Sequence, residues 1–200
     1  MPPPHQTARL PATLIVLAGG SSRRMKRNKA VLPAPDKPLL LHVLNQVEEF
    51  FAEILISVSR GQRFDFLPFR TVEDEAPGQG PLAGILSGLK AAANDTCVVI
   101  ACDIPEININ FLLAMIKKAE GYEILVPCSG ENKYEPLFAV YKKSVIPKIE
   151  ALISSQDFSI LSLFPLCRTR LEKMRDASWL RNLNTPGDYQ DYLKSQGRWR

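Results

Sequence analysis

A chain of 200 residues with 46% hydrophobic and 23% charged side chains has the composition of an ordinary globular protein, long enough for one domain with a sizeable core. Much of its net charge of +4 comes from residues 23–29 and 168–200, which points to a local anion such as a phosphorylated small molecule. A nucleic-acid partner is disfavoured because no basic strand interleaved with base-stacking aromatics is present.

Residues 1–12, with Pro2-Pro3-Pro4 near their start, are expected to form a flexible tail, and residues 13–200 a single domain. The tail has no apolar core of the secretory kind, and no window reaches the ~18 consecutive apolar residues of a membrane span. A cytoplasmic protein is therefore expected.

The first strand falls at residues 13–17 and is apolar without alternation, the pattern of a strand buried on both faces. It runs into Leu17-Ala18-Gly19-Gly20-Ser21-Ser22-Arg23-Arg24-Met25-Lys26-Arg27-Asn28-Lys29, a small-residue turn followed by five cations in residues 23–29. Glycine lets backbone N–H groups approach phosphate oxygens, and Arg and Lys supply charge, so a nucleoside triphosphate is the expected guest.

A helix over 39–51, a strand over 53–58 and a short strand over 70–72 follow. The next helix, over 81–93, begins at Gly80-Pro81-Leu82-Ala83-Gly84, where proline suits the first turn and Gly80 permits close approach to a helix N-terminus. A second fully apolar strand, 96–101, leads through Cys102 to Asp103, whose backbone is restricted by the nearby Ile104-Pro105 corner. A carboxylate there can hold Mg²⁺ beside substrate phosphates. A helix over 107–119, strands over 123–126 and 137–141, a helix over 144–154 and a final helix beyond Asn182-Leu183-Asn184-Thr185-Pro186 complete the pattern. Strands alternating with helices predict an α/β fold of three layers, α/β/α, with a mainly parallel Rossmann-like sheet. Ligands bind such sheets at the carboxyl ends of the strands, where the first and fourth strands both run into candidate binding residues.

Neither a Walker-type G-x-x-x-x-G-K-[ST] nor a dinucleotide G-x-G-x-x-G occurs in the chain. Cys97, Cys102, Cys128 and Cys167 show no CxxC pair and no histidine at zinc spacing, so they read as reduced thiols, three of them in or beside apolar runs. His42 falls on a helix and His5 in the tail. Arg168, Arg170 and Arg181 read as a solvated basic face.

The Leu17–Met25 loop with Lys29, Gly80–Gly84, Cys102-Asp103-Ile104-Pro105, Glu135-Pro136 and Asn182-Leu183-Asn184-Thr185-Pro186, in that order over nearly the whole chain, resemble the molybdenum cofactor guanylyltransferases of the nucleotidyltransferase superfamily. The resemblance implies a nucleotide-diphospho-sugar transferase type of fold and transfer of GMP from MgGTP to molybdopterin-bound molybdenum cofactor, releasing pyrophosphate. It implies nucleotide contacts at Leu17, Ala18, Gly19, Gly20, Lys29, Asp74, Gly80, Pro81, Leu82 and Asp103. Mg²⁺ would sit at Asp103, catalytic roles fall to Arg24, Lys29 and Asp103, and Asn182 and Asn184 face the acceptor substrate. A monomer is expected, with passing contacts to proteins that deliver the cofactor or mature molybdoenzymes.

Two departures stand in the loop: Lys26 where the family has glycine, and Asn28 where it often has aspartate. The family's asparagine after the second strand is replaced by Ser57 or Ser59, and that contact is not carried over. Alternatives remain a cytidylyl- or sugar-phosphate nucleotidyltransferase and, from a different class, a non-catalytic nucleotide-binding regulator. Gly19-Gly20 favours the guanylyl branch over the cytidylyl Leu-Ala-Ala-Gly.

Overall fold

The computed structural model describes residues 9–19, 28–34, 36–75, 78–131 and 133–196. One sheet holds strands β1 (Leu10–Leu17), β2 (Phe51–Val58), β3 (Arg70–Glu73), β4 (Thr96–Ala101), β5 (Ile124–Gly130), β6 (Lys133–Tyr134), β7 (Phe138–Lys142) and β8 (Thr169–Lys173). Its order is β3-β2-β1-β4-β7-β5-β6, with β8 alongside β5. Strands β1 to β4 are mutually parallel, β7 is antiparallel to both β4 and β5, and β8 is parallel to β5. The sheet is thus mainly parallel, with β6 and β7 reversed.

Helices α1 (Leu39–Val47), α2 (Pro81–Ala91), α3 (Ile109–Lys118), α4 (Ile146–Ser154) and α5 (Pro186–Ser195) accompany it. Alternate residues of the central strands serve opposite faces. Leu14, Val16, Ile56, Val98 and Ile100 pack with α1 and α3 residues Leu40, Val43, Leu112 and Met115. Ile15, Leu17, Leu55, Cys97 and Val99 pack with Leu82, Ile85 and Leu89 of α2 and Ile149 of α4. Both faces are covered, which is why these strands carry no polar alternation.

The boundaries move where tertiary contacts claim a residue. β1 begins at Leu10, inside the expected tail, because Leu10 donates to the Phe50 carbonyl and pairs with Phe51 across a register shift. α1 stops at Val47 rather than continuing to 51, since Phe51, 1% exposed, belongs to β2. α3 starts at Ile109 because the Asn108 side chain accepts from Phe111 N–H and caps it, while Ile107 N–H is taken by Gln46. β6 and β8 have no counterpart in the sequence-based reading. β8 is Thr-Arg-Leu-Glu-Lys, a polar segment that becomes a strand by pairing with β5.

Candidate functional site

β1 and β4 lie side by side with Leu17 opposite Ala101, so the segments after both leave the same sheet edge. Cys102 N–H donates to the Leu17 carbonyl at 3.1 Å, and Ile104 N–H donates to the Ala101 carbonyl at 3.2 Å. These two bonds fix the turn that presents Asp103. Lys29 Nζ donates to Asp103 Oδ2 at 2.7 Å and to Asn184 Oδ1 at 3.1 Å.

Three segments far apart in sequence hold this cluster. Asn28 Oδ1 accepts from Ala30 N–H at 3.0 Å and caps the short 3-10 helix Lys29–Val31, whose Ala30 is fully buried. Asparagine here supplies the capping acceptor that aspartate would. Leu183 N–H donates to the Asp103 carbonyl at 2.9 Å, while the Leu183 side chain packs with Ala34, Leu39, Tyr192 and Leu193. Thr185 and Asp188 then form a capping box at the start of α5. The cap and the site share one turn: Asp188 accepts from the Asn184 backbone N–H, while Asn184 Oδ1 accepts from Lys29 Nζ. Asp188 is held below the usual carboxylate range, chiefly by the Thr185 hydroxyl.

Asn182 bonds instead to Glu135, a half-buried carboxyl raised by burial and partly lowered again by that bond. Next to Glu135, the Pro136 carbonyl accepts from the hydroxyl of fully buried Tyr141 at 2.8 Å. The segment carrying Glu135 is thereby tied to the core.

A second cluster lies where β2, β3 and α2 meet. Asp74 N–H donates to the Val58 carbonyl, and the buried Ser57 hydroxyl donates to Asp74 Oδ1 at 3.0 Å. Burial raises Asp74, and the Ser57 bond opposes this. Gly84 of α2 lies against both: a Cβ there would meet Ser57 Oγ at 2.8 Å and Asp74 Oδ1 at 3.2 Å. Ser57, at one of the two positions where the family's asparagine contact was not carried over, thus takes part in the site through Asp74.

The remaining nucleotide candidates are placed as follows. Gly80, at φ 71°, precedes α2, and Pro81 opens the helix. Leu17 and Leu82 bury their side chains in the core, so a ligand would meet chiefly their backbone. Gly19 has a packing reason of its own, since a Cβ would come within 2.6 Å of the Ser59 nitrogen. Its N–H, like that of Ala18, is already given to the Ser57 carbonyl. Gly20 and Arg24 lie outside the described residues, as does Lys26.

The thiols are all free. Cys97 and Cys102 are buried and pushed up to about 12 by burial, whereas Cys128 and Cys167 are half-buried. Of the basic side chains, Arg168 and Arg181 are exposed, whereas Arg170 is half-buried, lies over the Tyr122 ring and pairs with Glu172.

A mainly parallel α/β sheet thus gathers a lysine, a carboxylate and an asparagine at the carboxyl ends of its central strands, an arrangement suited to a phosphorylated ligand, and similarity to known proteins places the chain among the nucleotidyltransferases. A family model described as the MobA-like NTP transferase domain matches residues 14–168. The chain is 37% identical over 186 residues to a Pelotomaculum thermopropionicum protein named "Probable molybdenum cofactor guanylyltransferase", covering 90% of each. In fold it is similar to molybdopterin-guanine dinucleotide biosynthesis protein A from Archaeoglobus fulgidus, with a TM-score of 0.79, 23% identity and coverage of 94% of this chain and 100% of that one. It is also similar to a Mycobacterium tuberculosis H37Rv protein crystallised in complex with manganese, with a TM-score of 0.67, 18% identity and coverage of 92% and 97%. The chain belongs to the MobA-like NTP transferase family, alongside the molybdenum cofactor guanylyltransferases.

Proposed function

We propose that this enzyme transfers GMP from MgGTP to molybdopterin-type molybdenum cofactor in the cytoplasm, forming the guanine dinucleotide cofactor and pyrophosphate. The observation that carries the reading is the convergence of Lys29, Asp103 and Asn184 at the ends of β1 and β4, in a chain of this family. A terminal phosphate oxygen of the acceptor attacks the α-phosphorus of GTP. The bond from that phosphorus to the bridging oxygen breaks, and pyrophosphate leaves with the electron pair. Such chemistry asks the protein chiefly to position the reactants and neutralise charge.

Asp103 and Asn184 present two oxygen donors to one cationic group, a donor set suited to Mg²⁺, which binds through one or two protein oxygens plus substrate phosphates. Among the described residues no cluster of three His, Cys, Asp or Glu could hold a metal. The remaining ligands would come from the triphosphate and water. When bound, the metal supplies charge neutralisation on the phosphates.

Lys29 and Arg24 neutralise the departing pyrophosphate. Asp74, with one oxygen engaged by Ser57, turns the other toward the guanine or ribose. The backbone around Leu17, Ala18, Gly19, Gly20, Gly80, Pro81 and Leu82 lines the nucleotide, and Asn182 and Asn184 orient the acceptor.

The test is pyrophosphate release from GTP, CTP and ATP side by side, with Mg²⁺ and molybdopterin-type cofactor. GTP is expected to be used preferentially, and Asp103→Asn to lower the rate by about 1,000-fold, the scale of losing a main electrostatic contact. Equal use of the three nucleotides would overturn the guanine assignment, and an active Asp103→Asn would remove that residue's role.

A further inference from the structure

We propose that Lys29 makes the enzyme select the metal–triphosphate complex over free metal, by keeping its own ammonium between Asp103 and Asn184 until a triphosphate draws it away. The inference rests on reading Asp103 as the metal carboxylate. Lys29 Nζ lies 2.7 Å from Asp103 Oδ2 and 3.1 Å from Asn184 Oδ1, so it uses the very oxygens a divalent ion would need. An ammonium and a divalent cation cannot share that place, because like charges at such separation repel strongly where solvent is scarce. The Lys29 and Asp103 side chains are only 14% and 19% exposed.

Each of the three groups is held in position. The Asn28 cap fixes the turn from which Lys29 projects, Asp103 is pinned by the bonds of Cys102 and Leu183, and Asn184 by the α5 cap. Free metal must therefore displace a preorganised cation and would gain two protein oxygens in return. Its apparent affinity falls with the fraction of molecules whose site is open. A triphosphate changes both sides of that balance. Its distal oxygens give Lys29 a more highly charged partner than one carboxylate, and its other oxygens complete the metal's ligand set. Lys29 thus moves from carboxylate to phosphate as metal and nucleotide enter together.

The test is Mn²⁺ binding to the whole protein, read by electron paramagnetic resonance of the free ion. Wild type, Lys29→Met, which keeps the apolar stem, and Lys29→Met/Asp103→Asn are compared. Without nucleotide, Lys29→Met is expected to bind Mn²⁺ about tenfold more tightly than wild type, as removal of a competing occupant predicts. The double variant is expected to lose that gain. With a non-hydrolysable GTP analogue the order reverses: wild type binds Mn²⁺ tightly and Lys29→Met more weakly. Equal nucleotide-free affinity for wild type and Lys29→Met would overturn the inference alone. Failure of the analogue to raise wild-type affinity would overturn the metal reading of Asp103, and the inference with it. If Lys29→Met does not fold, Lys29→Gln makes the same comparison with a neutral donor.

Discussion

Asp74 is a carboxyl that its surroundings hold above its ordinary value of 3.8, because burial outweighs the Ser57 hydrogen bond. A carboxyl raised in the folded state adds stability below that ordinary value and loses it as pH climbs through the folded value. The ionised form is therefore a liability to the fold. Asp74→Asn is expected to raise Tm at about pH 7, with the difference vanishing near about pH 3, while raising the KM for GTP by about tenfold or more, as loss of a nucleotide hydrogen bond to a charged group would. Thermal melts at the two pH values and steady-state kinetics check both halves. Ser57 shows why this corner was only partly legible. A serine in Leu-Ile-Ser-Val reads as a mild strand residue until the fold brings Asp74, 17 positions away, within 3.0 Å.

Helix α2 presents two glycines to different neighbours along one face. Gly88 meets β1, where a Cβ would approach Ile15 Cγ2 at 2.6 Å, while Gly84 one turn earlier meets Ser57 and Asp74. Overpacking a filled core costs about 1–3 kcal/mol. Gly88→Ala is expected to lower stability by that amount and leave the KM for GTP unchanged. Gly84→Ala is expected to lower stability similarly and also to raise the KM, by displacing the Asp74 carboxyl; denaturant melts with GTP kinetics on both variants test the contrast. The elements themselves were legible where local signals were strong, such as Gly80-Pro81 before α2 and Asn182–Pro186 leading into α5, whereas the Thr185–Asp188 capping box emerged only in the fold. β8 and the early end of α1 were not, since each depends on a partner strand rather than on its own pattern.

Across the whole molecule, Glu123 joins three distant segments. Its carboxylate accepts from Lys148 of α4, from Arg168 N–H just before β8 and from Ser144, and these bonds, Lys148 first, hold it at about 2 rather than 4.5. A depressed carboxylate contributes stability above its unfolded value and loses it as pH falls through the folded one. The contribution is therefore whole at neutral pH and fades between 4.5 and about 2. Glu123→Gln is expected to cost about 1 kcal/mol at neutral pH, after solvent screening of the partly exposed lysine, and nothing at the acid end. Denaturant titrations across that range would show the two curves meeting.

The sequence by itself determined the layered α/β class, because unalternating apolar strands spaced by helices can be buried only between two helical layers. It also marked candidate corners at Lys29 and Asp103, through a glycine turn followed by cations and an aspartate just before Ile-Pro, whereas Asn184 stood out only through the family resemblance. The tertiary structure alone decided which corners meet. Parallel pairing of β1 with β4 puts Asp103 beside the loop after β1, and the anchoring of Leu183 brings in an asparagine 155 positions from Lys29. Only the closed fold shows that the lysine expected at a phosphate already holds the carboxylate expected at a metal. That contact arises from three separately fixed backbone turns, which no short stretch of sequence encodes.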